Sequence, residues 1–159
     1  MILYHGSNVE VRTPKLLKIQ RKLDFGSGFY TTTDLQQAVN WAKRTRRIRK
    51  GGEACISVYE FPEEQLDTLH ILRFEKADEK WLDFVTANRK GNVIEEQWDI
   101  VFGPVANDQT MQTLILYLDG FLTKQETIER LLPQKLTDQV TFKTEKALAC
   151  LKCKEVKRL

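Results

Sequence analysis

The chain has 159 residues, with Lys+Arg 25 against Asp+Glu 22 and a formal net charge of +3. So mild a balance singles out neither nucleic acid nor membrane as a partner, and no apolar run reaches the ~18 residues of a membrane span. Hydrophobic residues are 42% of the chain, enough for one self-sufficient domain over 1–159. The opening MILYHGS turns polar too soon for a secretory leader, and three cysteines, an odd count, suit a reduced, cytoplasmic protein.

In chain order, ILYHG (2–6) reads as a strand ended by glycine, and GFYTTT (28–33) as a second one. From Thr33 the period changes: Leu35, Ala38, Val39 and Ala42 recur on one helical face. Thr33 and Gln36 have the spacing of a capping box, and Gly51-Gly52 marks the stop. ACISVYEF (54–61) alternates as a strand does. A helix follows around Glu79–Arg89 with Trp81, Leu82, Phe84 and Val85 inside and Gly91-Asn92 as its stop. WDIVFGPV (98–105) is a strongly apolar strand. Two helices are expected near 109–120 and 124–132, before Pro133. QVTF (139–142) is a short strand, and Thr144 caps a last helix with Ala147, Leu148 and Leu151 on one face. Strands and helices mix without a steady βαβ rhythm, which predicts an α+β fold.

The densest chemistry lies in DFGSGFYTTTD (24–34). It lacks the third glycine of a dinucleotide loop, since Thr31 stands there, and its helix starts after the aromatics rather than at the glycines. DFG without a catalytic loop or lysine motif is not a kinase signature. What remains is backbone freedom: Gly26 and Gly28 let a flat ligand or another strand approach closely. Phe29 and Tyr30 then point to opposite faces, one to the core and the other available to a cleft. His5 ends the first strand, and His70 has no partner motif. Cys150-x-x-Cys153 lacks a second pair or a nearby His, so zinc is not expected. KRTRRIRK (43–50) carries six basic residues in eight. A helix C-terminal dipole explains some of them, and a phosphate or nucleic-acid patch is the alternative.

Taken together, YHGS, FGSGFYTTTD followed by QQAVNWA, WDIVFGPVAND and QVTFKTEKALACL resemble a domain-of-unknown-function family of small bacterial proteins within the ADP-ribosyltransferase superfamily. The resemblance runs from Tyr4 to about Leu151. It implies a split β-sandwich of short, mostly antiparallel strands with flanking helices. In the branch typified by poly-ADP-ribose polymerase and diphtheria toxin, a His, a Tyr and a Glu on three strands form the signature. His5 and Tyr30 match the first two, and Trp41, eleven residues after Tyr30, matches a second aromatic facing the nicotinamide.

The resemblance implies NAD as substrate, no metal, and a slot built from His5, Gly6, Ser7, Gly28, Phe29, Tyr30, Thr31 and Trp41. Tyr30 and Trp41 would sandwich the nicotinamide. His5 would bond a ribose hydroxyl, and the Gly6 backbone would pair with the carboxamide. Gln139 stands where the branch has Glu. A carboxylate ~4 Å from the developing oxocarbenium charge would contribute about 4 kcal/mol at an effective dielectric near 20, whereas an amide supplies only a dipole. Asp108 is the alternative carboxylate and Glu145 a poorer one. The expected activity is NAD-dependent mono-ADP-ribosyl transfer to a protein or nucleic acid, as an intracellular toxin or defence factor with a neutralising antitoxin partner. Two other readings are a non-catalytic NAD-binding module and an RNA-directed toxin built on 43–50.

Overall fold

The computed structural model describes residues 1–17, 22–92, 98–106 and 108–159, and of residues 108 and 109 the backbone alone. Among the described residues, seven strands form two sheets. The first has three strands in the order β1 (Ile2–Ser7), β3 (Cys55–Glu60), β7 (Lys152–Arg158). The second has four, in the order β2 (Phe29–Thr31), β6 (Asp138–Phe142), β5 (Ile100–Pro104), β4 (Ile71–Arg73). All pairings within the sheets are antiparallel except β4 with β5. Five α-helices among the described residues flank them: α1 (Leu35–Arg49), α2 (Glu79–Lys90), α3 (Asp108–Leu118), α4 (Lys124–Leu131) and α5 (Glu145–Leu148). The α+β expectation therefore holds.

The sheets meet edge to edge at one point. Tyr4 and Thr32 form an isolated antiparallel bridge, Tyr4 N donating to Thr32 O at 2.8 Å and Thr32 N to Tyr4 O at 3.0 Å. Side-chain alternation then distributes the core. Leu3, Phe29, Tyr59, Phe61, Ile100, Phe102, Val140 and Phe142 pack together on one side of the joined sheets. On the other side lie two separate clusters. Ala38 and Ala42 of α1 cover Ile56 and Val58 of the first sheet, with Tyr4 at the margin. Trp81, Leu82 and Val85 of α2 cover Val101 of the second sheet together with Phe25, Leu114 and Leu131. The furrow between α1 and α2 thus runs along the seam between β1 and β2.

Helix α1 fits because β1 offers it no side chain at the contact. A Cβ built on Gly6 would lie 2.1 Å from the Ala38 carbonyl oxygen and 2.9 Å from the Ala42 amide nitrogen. The small residues of α1 and Gly6 let helix and strand approach backbone to backbone.

Several boundaries differ from the sequence reading. The N-cap of α1 is Asp34, whose side chain accepts from Gln37 N, and no Thr33–Gln36 capping box forms. Aspartate is at least as good a cap as threonine, and Thr33 is occupied elsewhere, donating to Asp138 Oδ1 at 2.8 Å. Helix α1 stops at Arg49, with Lys50 left-handed at φ 51, one residue before the glycine pair. The last helix ends at Leu148, so Leu151 lies beyond it, and β7 follows from Lys152. Strands β4 and β7 and a 3-10 helix at Glu63–Thr68 have no counterpart in the sequence reading.

Candidate functional site

The stretch that drew attention in the sequence is mostly structural on its first half. Asp24 is buried and ion-paired to Arg89 at 2.5 Å, while its main-chain oxygen accepts from Asn88 Nδ2. Phe25 is core. Gly26 takes φ +70 in a turn closed by its amide to Leu23 O, a conformation that favours glycine. Gly28 is needed for a neighbouring strand rather than for an open slot: a Cβ there would meet Thr141 Cγ2 at 2.6 Å and Phe142 O at 2.8 Å. At Gly28 it is the strand β6 that approaches, while Gly26 packs against the Asn88 and Lys143 side chains.

Phe29 and Tyr30 do face opposite ways. The Phe29 ring stacks on His5, centroids 4.4 Å apart. Tyr30 turns to the α2 side, where its hydroxyl donates to Gly26 O at 2.5 Å and accepts from Phe25 N at 3.2 Å. Its ring is thereby fixed against rotation out of the furrow. Tyr30 O meets His5 Nδ1 at 2.7 Å. A carbonyl only accepts, so Nδ1 carries the proton and Nε2 is the acceptor nitrogen of the neutral ring. Burial lowers the His5 pKa and the Arg49 charge adds to it, against the raising effect of the Tyr30 bond. His5 is therefore neutral at pH 7.

The seam between the sheets opens at this residue. A strand residue points its N–H and C=O to the same side, and alternate residues point to the same side as each other. Tyr4 directs both groups to Thr32, so Gly6, two residues on, directs its own toward β2 as well. The rung after Tyr4–Thr32 would join Gly6 to Tyr30. No backbone bond forms there; the His5 side chain takes the Tyr30 carbonyl instead. Gly6 is left with a donor and an acceptor side by side, facing a break in the sheet edge.

What surrounds that break follows from register. Opposed residues of an antiparallel pair share a face, so Thr141 lies on the Tyr30 face, and Gln139, two residues along β6, lies there too. Gln139 is 5% exposed, and its Nε2 is buried without a partner, as is Thr141 Oγ1. Across the furrow, Gln37 of α1 donates from Nε2 to Asp138 O at 3.3 Å while its Oε1 is also buried and unpartnered. Trp41 is one turn along the same flank of α1, at the level where Ala38 and Ala42 press on Gly6. It is 50% exposed, with the Arg44 guanidinium 5.8 Å from the ring centroid. Tyr30 and Trp41 make no ring contact. Buried polar atoms in native folds are nearly always paired, so three unpartnered ones on the walls of one furrow point to a polar occupant.

Of the other sequence candidates, Ser7 is buried at the end of β1, and Thr31 Oγ1 is satisfied by Val140 O at 2.8 Å. Asp108 begins α3, and its side chain lies outside the described residues. Glu145 is in the first turn of α5. Asp138 and Gln139 diverge as adjacent strand residues must: the Asp138 carboxylate accepts from Thr32 Oγ1, Thr33 N and Thr33 Oγ1. The sequence reading missed Gln37 and Thr141. They stand in DLQQAVNW and DQVTF, but only the pairing of β2 with β6 puts Thr141 opposite Tyr30, and only the packing of α1 brings Gln37 to Asp138.

A family model described as Protein of unknown function (DUF3990) matches residues 1–153. The chain belongs to this family. No curated protein and no solved structure matches the chain.

Proposed function

We propose that this DUF3990 protein is an NAD-dependent mono-ADP-ribosyltransferase with an ADP-ribosyltransferase-like split sandwich, its nicotinamide slot at the missing rung between Gly6 and Tyr30. The observation that carries the reading is the outward donor–acceptor pair of Gly6, set beside the buried, unpartnered Gln139 amide. A primary carboxamide presents the complementary acceptor and donor, so the Gly6 edge reads it as a neighbouring strand would. Trp41 and Tyr30 flank the slot as aromatic walls. Neutral His5, on the Phe29 face of the sheets and anchored through Nδ1 to the Tyr30 carbonyl, keeps Nε2 as an acceptor for a ribose hydroxyl that reaches through the open rung. The Gln139 amide nitrogen is positioned as a donor to ribose oxygen.

In the reaction the nicotinamide–ribose bond breaks and its electron pair goes to the departing pyridine nitrogen. The anomeric carbon then bonds an acceptor nucleophile, which loses a proton. The charge that builds on the ribose is met by positioned dipoles. The residues named supply orientation and hydrogen bonds, and no described carboxylate points from β6 into the furrow.

Isothermal titration with NAD, followed by a nicotinamide-release assay, tests this reading on the wild type and on Trp41→Ala. Binding with release, both weakened in the variant, is the expected result. Absence of NAD binding by the wild type sinks it. Binding without release supports a second reading, a non-catalytic NAD-binding module, which the amide at 139 in place of a carboxylate favours.

A further inference from the structure

Four of the six cations of the basic run lie on the flank of α1 opposite Trp41. At 100° per residue, Lys43, Arg46, Arg47 and Lys50 form one stripe, while Gln37, Trp41 and Arg44 form another across the exposed face. The first stripe borders a cavity of about 480 Å³ completed by Gly51, Gly52, Ala54 and Leu159. Within the described residues no carboxylate pairs with any of the four cations. The nearest acidic side chain in sequence, Glu53, is engaged by Arg158 at 3.4 Å. A helix C-terminus carries about half a negative charge, which four cations exceed several-fold.

We infer that this cavity is a binding site for the phosphate backbone of a single-stranded nucleic acid. The stripe from Lys43 to Lys50 extends about 10 Å along the helix, the length of a short run of backbone phosphates. Adjacent Arg46 and Arg47 bring planar guanidinium forks suited to phosphate oxygens. The floor is bare: only Arg49 O, at 3.9 Å, approaches a Cβ built on Gly51. Gly52, by contrast, is locked at φ +74 with a Cβ position 2.0 Å from Asn8 O, so the turn that shapes the cavity is pinned to the end of β1. Arg49 ties the same two segments, donating to Asn8 Oδ1 at 3.1 Å. Asn8 is three residues from His5, so a strand held here passes near the exit of β1. On the transferase reading, on which this further step rests, that strand is the acceptor of ADP-ribose.

The binding half is tested without NAD. Fluorescence anisotropy of a fluorescein-labelled single-stranded 20-mer is measured from 50 to 200 mM salt against the wild type and Arg46→Glu/Arg47→Glu. The expected result is a log–log salt slope of about −0.7 per phosphate contacted, shallower in the double variant, with at least tenfold weaker binding at 100 mM salt. Lys152→Glu/Lys154→Glu on β7 serves as the charge control and retains wild-type binding; unchanged thermal melts certify the fold. Equal binding by wild type and the 46/47 variant overturns the site. So does tighter binding of ATP than of the 20-mer, or binding only to vesicles of anionic phospholipid. With labelled NAD, transfer to the 20-mer that is lost in the 46/47 variant, while nicotinamide release persists, supports the acceptor role. Oligonucleotide binding with no nicotinamide release would overturn the acceptor role and the transferase reading while leaving the phosphate site intact.

Discussion

Between β1 and β2 two successive rungs meet different fates. At Tyr4–Thr32 both backbone bonds form and the sheets are joined. One rung further, at Gly6–Tyr30, a histidine side chain replaces the backbone pair and the edges part. The closed rung buries its polar groups in one another, as a sheet interior does. The open rung holds polar groups in place without consuming them. Side-chain substitution for a single ladder bond is enough to open a sheet junction, because the strands are already held in register on either side by β3 and β6.

The difference between the rungs can be broken or sharpened by substitution. The largest effect is expected from Gln139→Glu. If its carboxylate comes within ~4 Å of the ribose, stabilisation of about 4 kcal/mol raises nicotinamide release by up to a thousandfold; release unchanged or lower in single-turnover assays removes residue 139 from the site. Gly6→Ala attacks the open rung through the fold. The added methyl meets helix backbone that cannot rotate away, so a loss of about 3 kcal/mol is expected, seen as a melting temperature lower by roughly 10 °C. A melt within 2 °C of wild type would show that α1 is not held against Gly6 as described.

Smaller effects follow. His5→Ala should weaken NAD binding about tenfold, the worth of one hydrogen bond to a partly buried group, measured by calorimetry. The pH profile sharpens this assignment. Because burial lowers the His5 pKa below 6.5, the ring stays neutral and Nε2 keeps accepting from pH 8 down to 6.5, and NAD affinity is flat there. Affinity falls only at lower pH, and the His5→Ala protein lacks that fall. The sign for stability is the same: below pH 6.5 the unfolded chain takes a proton on His5 that the folded one resists, so this residue destabilises the fold in acid. The smallest effect is at Trp41. Its replacement by Ala removes stacking worth about 1 kcal/mol, a roughly fivefold loss of NAD affinity, with thermal stability within about 0.5 kcal/mol of wild type because the ring is half exposed.

Local periodicity made most elements legible. Helices α1 and α2 announce themselves by apolar spacing and terminal glycines, β3 by alternation and β5 by a strongly apolar run. β7 was hidden for a physical reason. KCKEVKR has few apolar residues, and only Cys153 and Val156 are even half-buried; it is a strand because the free edge of β3 pairs with it, not because of its own pattern. The three-residue β4 is likewise made by its parallel partner β5. At the site, His5, Tyr30 and Trp41 could be named from sequence spacing and family resemblance, yet neither told which atoms they present. That Tyr30 offers its carbonyl to His5 while its hydroxyl is spent on Gly26 is a matter of strand direction and loop path.

The amino-acid sequence alone dictated the α+β class, the helix faces and the concentration of cations at the end of α1, since each depends on neighbours a few residues apart. Tertiary structure decided the rest: which glycine is filled by helix, strand or turn, where the ladder between two sheets breaks, and that Gln37, Gln139 and Thr141 leave polar atoms unpaired beside that break. Those outcomes rest on contacts between segments a hundred residues and more apart, whose geometry no local pattern encodes.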